Sequence, residues 1–80
     1  MKTRKKEYGD MNMVGRRIEE LRKSRGIKQK DFIAMMQCEG CDINPTSYSK
    51  LEGQLRSAND RELYVIARIL ETTIDSLFEQ

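Results

Sequence analysis

Apolar residues along this chain recur at three- and four-residue spacings, with no stretch of single alternation, so helices are the regular element it can build. Val14, Ile18 and Leu21 share one stripe and predict a first helix from about Asn12 to Arg25. Phe32, Ile33 and Met36 predict a second from about Lys28 to Cys38. A third, from about Pro45 to Gly53, has only Tyr48 and Leu51 as large apolar groups. Leu63, Ile66, Ala67 and Leu70 form the stripe of a fourth, and Ile74, Leu77 and Phe78 mark a short fifth that starts at Thr73. No stripe of this length can bury itself, so five short helices must close around one shared core in an all-α fold.

Local chemistry supports these boundaries. Asn12 or Asp10 is suited to cap the first helix, and Gly26 to stop it. Glu19 and Lys23 form an i,i+4 pair in the favoured order. Asn44 is placed as N-cap of the third helix with Pro45 at its first position, where a missing N–H is no loss. Asn59 or Asp60 opens the fourth. Glu39, Gly40, Cys41 and Asp42 break the helical pattern between the second and third.

Eighty residues suffice for one domain, read here as residues 11–80, preceded by a flexible basic arm at 1–10 with Lys2, Arg4, Lys5 and Lys6. The bland alternative for that arm is a solvated tail without a role. A net charge of +2 is only mildly basic, but its distribution is uneven: Glu71, Asp75 and Glu79 make the far end acidic. No apolar run reaches the roughly 18 residues of a membrane span, and no apolar stretch follows the basic start as a secretory signal requires. Two cysteines without such a signal point to a reducing cytoplasm rather than a disulfide framework. Cys38 and Cys41 form a single C-x-x-C with no histidine in the chain, two ligands short of a structural zinc site. The expectation is that one packs as a small apolar group and the other is exposed, with zinc shared across a dimer or a redox switch as minor alternatives. No nucleophile–base pairing or phosphate loop is visible, so neither an enzyme nor a cofactor, metal or small-molecule substrate is expected.

The third helix is the most informative segment. Thr46, Ser47, Ser49 and Lys50 leave it small, polar and basic outside its two apolar anchors, a surface suited to the edge of a DNA duplex. Around it, the run Ile18 to Gln29 with Arg-x-x-x-Gly-Ile-x-Gln from Arg22, then Ser49-Lys-Leu-Glu52, then Leu63 to Leu70 and Ile74-Asp-Ser-Leu-Phe78, resembles the phage-repressor-like (Cro/repressor, xenobiotic-response-element type) helix-turn-helix family over about residues 13–78. The resemblance implies a five-helix lambda-repressor-like domain that binds double-stranded DNA as a transcriptional regulator, expected to be a repressor and a homodimer on a two-fold operator.

On matching positions, the resemblance gives Pro45, Thr46, Ser47, Ser49 and Lys50 as base-contacting residues in the major groove, with Lys50 the candidate for guanine. It gives Lys28, Gln29, Lys30 and Arg56 as contacts to the DNA backbone, with Gln29 also bracing the third helix. It further pairs Arg22 with Glu52. The chain departs from the family pattern in two places: a long connection between Met36 and Tyr48, resembling a longer-turn variant, and Ile33 where the family usually has Ala. The competing function is a protein-interaction module on the same fold, as in an antitoxin or accessory factor, favoured by the modest charge. Read singly, Lys50 and Glu19–Glu20 are solvated surface, and Met35 and Met36 are core. The end of the chain (Leu70, Ile74, Leu77, Phe78) looks over-supplied with apolar groups and is the expected dimer face.

Overall fold

The computed structural model describes residues 8–79, which form four α-helices and no strand among them. They are α1 (Gly15–Ser24), α2 (Gln29–Cys38), α3 (Pro45–Glu52) and α4 (Asp60–Leu70), followed by one 3-10 turn at Asp75–Phe78. The basic residues Lys2, Arg4, Lys5 and Lys6 lie outside the described part. Residues 8–11 are already tied to the folded body, earlier than the boundary expected after residue 10. Gly9 N–H donates to the Gly53 carbonyl at 2.8 Å and Met11 N–H to that of Gln54 at 2.9 Å.

The fifth helix expected from Thr73 is shortened to this single 3-10 turn. Glu71 sits in the left-handed region at φ 55° and closes α4, with Thr72 N–H returning to the Ala67 carbonyl. The four residues Asp75–Phe78 cannot complete an α-turn ladder, and Thr73 Oγ1 caps them by accepting from Ser76 N–H at 3.1 Å.

Asn12 caps α1 as its side-chain oxygen accepts from Val14 and Gly15 N–H. Asn59 and Glu62 form a reciprocal capping box at the head of α4. The core is the sum of the helical stripes: Val14 and Ile18, then Phe32, Ile33 and Met36, then Tyr48 and Leu51, then Val65, Ile66, Ala67 and Leu70, with Leu77 from the 3-10 turn. Leu70 and Leu77 are fully buried, which removes them from the expected dimer face, whereas Ile74 and Phe78 are exposed.

Two core residues come from the segment that interrupts the helical pattern, one of them a cysteine, as expected for one of the pair. Cys41 and Ile43, in the connection between α2 and α3, are buried. Gln37 fastens that connection by donating to the Ile43 carbonyl at 2.9 Å, and Cys41 N–H bonds back to the Met36 carbonyl. The long turn thereby adds apolar groups of its own to the shared core.

Candidate nucleic-acid interface

The sequence of α3 sorts its residues between two faces. Asn44 Oδ1 accepts from Ser47 N–H at 2.7 Å and Pro45 occupies the first turn, so the helix begins where its cap dictates. Tyr48, Leu51 and Glu52, at i, i+3 and i+4, point inward and are 0% exposed. The opposite side carries Pro45, Thr46, Ser49 and Lys50, all exposed, with Ser47 half-buried at the edge. Four of the five expected base-contacting residues therefore share one open face. Ser47 is the exception: its backbone carbonyl accepts from Arg56 Nε at 3.1 Å.

A buried carboxylate fixes how that face is presented. Glu52 Oε2 accepts from Arg22 Nε at 2.6 Å and from the Tyr48 hydroxyl at 2.5 Å. Oε1 accepts from Arg22 Nη2 at 3.1 Å and from Gln29 Nε2 at 3.0 Å. Arg22 Nη1 donates on to the Ile27 carbonyl at 2.7 Å. One ion pair thus ties α1, the head of α2 and the end of α3 together, with four hydrogen bonds offsetting the desolvation of the carboxylate. Burial opposes the Arg22 charge, but the Glu52 hydrogen bonds outweigh it and raise the pKa. Burial, followed by the adjacent Glu52 charge, drives the Tyr48 hydroxyl far above the ordinary tyrosine range, so it stays a proton donor.

Of the four residues expected to meet the DNA backbone, Lys28 and Lys30 are exposed at the head of α2. No side-chain cap bond is made at Lys28, so the first N–H groups of α2 lack that acceptor, beside the two lysines and with Asp31 as the acidic neighbour. Gln29 is half-buried and gives one amide hydrogen to Glu52, leaving its second for an external acceptor. Arg56 does not fit the expectation. Its guanidinium forms a bidentate pair with Glu62 (3.0 and 2.9 Å) and donates to the Ser47 and Ser57 carbonyls. It pins the α3–α4 connection instead of projecting toward a ligand.

Several bracing residues carried only a weak signal in the sequence. Besides capping α1, Asn12 donates from Nδ2 to the Leu51 and Arg56 carbonyls at 3.0 and 2.8 Å. Gln54 Nε2 in turn donates to the Asn12 carbonyl at 2.6 Å. The Tyr8 hydroxyl donates to Glu19 Oε1, with Arg16 lying 5.5 Å from the ring centroid. Burial and that hydrogen bond push the Tyr8 pKa up to about 12. Such long-range side-chain-to-backbone bonds have no local spacing by which to find them.

Cys38 is exposed and Cys41 buried, both as free thiols, and burial pushes the Cys41 thiol up. No cluster of three or more metal-ligating side chains occurs among the described residues, and none of their helices is long and apolar enough to cross a membrane. Comparison with protein-family models, with curated proteins and with solved structures gave no match.

Proposed function

We propose that this chain is a sequence-specific double-stranded DNA-binding regulator of transcription, acting as a repressor, whose helix-turn-helix (α2, the buried turn and α3) belongs to a lambda-repressor-like domain. The observation that carries the reading is the division of α3: an open face of Pro45, Thr46, Ser49 and Lys50 opposite a face locked by Glu52. A rigid helix with hydroxyls and one lysine outward matches the hydrogen-bonding edges of a major groove. Thr46 and Ser49 each offer a donor and an acceptor, the Thr46 methyl meets a thymine methyl, and Lys50 donates to guanine O6 and N7. Lys28, Lys30, the second Gln29 hydrogen and the uncapped head of α2 take phosphates and set the register. The chain acts as a homodimer on a two-fold site, in a reducing compartment such as the cytoplasm, consistent with its free thiols.

The test is selection of bound duplexes from a random pool, followed by affinity against salt. A groove reader yields one enriched sequence and a log–log slope near −0.9 for each neutralised phosphate. The low net charge, with Lys50 the single cation on α3, favours a second reading: the same face docks a protein partner. Failure to enrich any duplex, together with salt-insensitive capture of a protein through Thr46 and Ser49, would replace the first reading with the second.

A further inference from the structure

Residues 9–12 lie along the end of α3 as a strap, held chiefly by hydrogen bonds. Gly9 and Met11 N–H donate to the Gly53 and Gln54 carbonyls, and Asn12 Nδ2 donates to those of Leu51 and Arg56. Gln54 Nε2 returns a bond to the Asn12 carbonyl at 2.6 Å. The fit is close: a methyl group on Gly9 would stand 2.4 Å from the Gln54 carbonyl oxygen and 2.9 Å from Leu55 Cδ2. Yet none of residues 8–13 is buried, whereas each helix and the 3-10 turn gives the core at least one apolar side chain. A segment tied by hydrogen bonds of small net worth, without a buried apolar anchor, opens before the core does.

What the strap holds is a residue in a costly conformation. Gln54 sits at φ 60°, in the left-handed region that glycine adopts freely and a residue with a Cβ does not. That conformation closes α3. Gln54 N–H bonds to the Leu51 carbonyl at 3.1 Å and Leu55 N–H to the Lys50 carbonyl at 2.8 Å, the paired bonds of a Schellman end. Gln54 is kept there by two bonds to the strap, one at its own carbonyl from Met11 and one from its side chain to Asn12. The backbone of Lys50, the cation of the open face, is thus reached from the strap through Gln54 and Leu55.

We propose that Gly9, Asn12 and Gln54 are positioning residues: the closed strap holds Gln54 in its left-handed conformation, and through it the last turn of α3 and the stance of Lys50. The consequence for base preference rests on the DNA reading above; the coupling of strap to helix end does not.

The experiment is amide hydrogen exchange, read by NMR on the full chain without DNA, for the wild type, Gly9→Ala and Gly9→Ala/Gln54→Gly. In the wild type, Met11 is expected to be less protected than Ile66 in α4 by about tenfold or more. In Gly9→Ala, protection of Met11 and Leu55 is expected to fall by about tenfold, the worth of one or two hydrogen bonds, with Ile66 unchanged. Adding Gln54→Gly is expected to restore protection at Leu55 and leave Met11 open, because glycine holds the left-handed conformation unaided. Wild-type protection of Met11 and Leu55 in Gly9→Ala overturns the proposal. An equal fall at Ile66 overturns it too, since the strap would then belong to the cooperative core, and so does a double variant in which Leu55 stays open. With a selected and a scrambled duplex, the affinity ratio is expected to fall by about fivefold in Gly9→Ala, the low end of what one base contact supplies, and to recover in the double variant. An unchanged ratio beside lowered Leu55 protection overturns the tie to Lys50. Absence of binding to any duplex sinks the DNA reading, and the exchange rates still decide the strap.

Discussion

Gly15, the first residue of α1, rests directly on Leu51 in the last turn of α3. A methyl group at position 15 would stand 2.4 Å from the Leu51 carbonyl oxygen and 2.5 Å from that of Glu52, both backbone atoms that cannot rotate away. The contact fixes the spacing of the two helices that the Arg22–Glu52 pair also joins.

Gly15→Ala is therefore expected to destabilise the fold by about 3 kcal/mol, at the upper end of overpacking costs, by forcing α1 off α3. Gly26 is the matched control. It sits at φ +69° with open space around its Cα, so Gly26→Ala meets only the left-handed backbone penalty of about 1–2 kcal/mol. Denaturant midpoints compare the two; equal stability of Gly15→Ala and the wild type would mean that the helices approach less closely than described.

Glu52→Ala removes the acceptor of four hydrogen bonds and leaves the Arg22 charge buried without its partner. The expected loss is about 3–5 kcal/mol, a large part of the 5–15 kcal/mol typical of a whole domain. Amide exchange within α3 should accelerate first, since this carboxylate anchors the end of that helix. Duplex affinity should then fall alike for all sequences. A variant with wild-type melting and wild-type exchange in α3 would show the buried pair to be dispensable.

Features whose cause is local were legible in the sequence. The Asn44 cap with Pro45, the Asn59 cap and the stripes of α1, α2 and α4 each depend on residues within one or two turns. The Arg22 and Glu52 pairing, thirty positions apart, was accessible only through a family resemblance. Ile43 was hidden because its burial comes from an irregular turn folding onto the core, not from a period. The structural partners of Arg56 were hidden for a related reason: nothing in the spacing of a basic residue in a connection announces that Glu62, in the capping box of α4, holds it. The Tyr8–Glu19 bond and the bonds from Asn12 to the Leu51 and Arg56 carbonyls likewise join segments distant in the chain, about which spacing is silent.

Three cationic positions should separate by function. Lys50→Ala, on the open face of α3, is expected to relax preference at one base pair, costing about 1–3 kcal/mol for the selected base. Lys28→Ala should weaken every duplex to a similar degree and lower the salt slope by about 0.9. Arg56→Ala should leave the salt slope unchanged and lower the melting temperature, because its guanidinium is bound to Glu62. Titrations of one selected and one scrambled duplex at several salt concentrations read all three, and an Arg56→Ala slope reduced like that of Lys28→Ala would return Arg56 to the DNA backbone.

Alkaline pH should unfold this protein through its tyrosines. Tyr8 is pushed up to about 12 by burial and the Glu19 hydrogen bond, and Tyr48 is driven higher still by burial and the Glu52 charge. Both folded values exceed the unfolded one of about 10, so between them the unfolded chain has lost protons that the native state keeps. Stability is thus fully present below about pH 10 and declines as pH rises from there through about 12. Tyr48→Phe should flatten that decline, but it also takes one hydrogen bond from Glu52 and so lowers stability near neutral pH. Tyr8→Phe should flatten it less, because Tyr8 is only half-buried and water screens its cost of ionisation. Urea midpoints measured from pH 8 to 12, with tyrosinate absorbance followed in parallel, test the order; a wild type whose midpoint holds steady across that range would mean that neither hydroxyl is held as these contacts require.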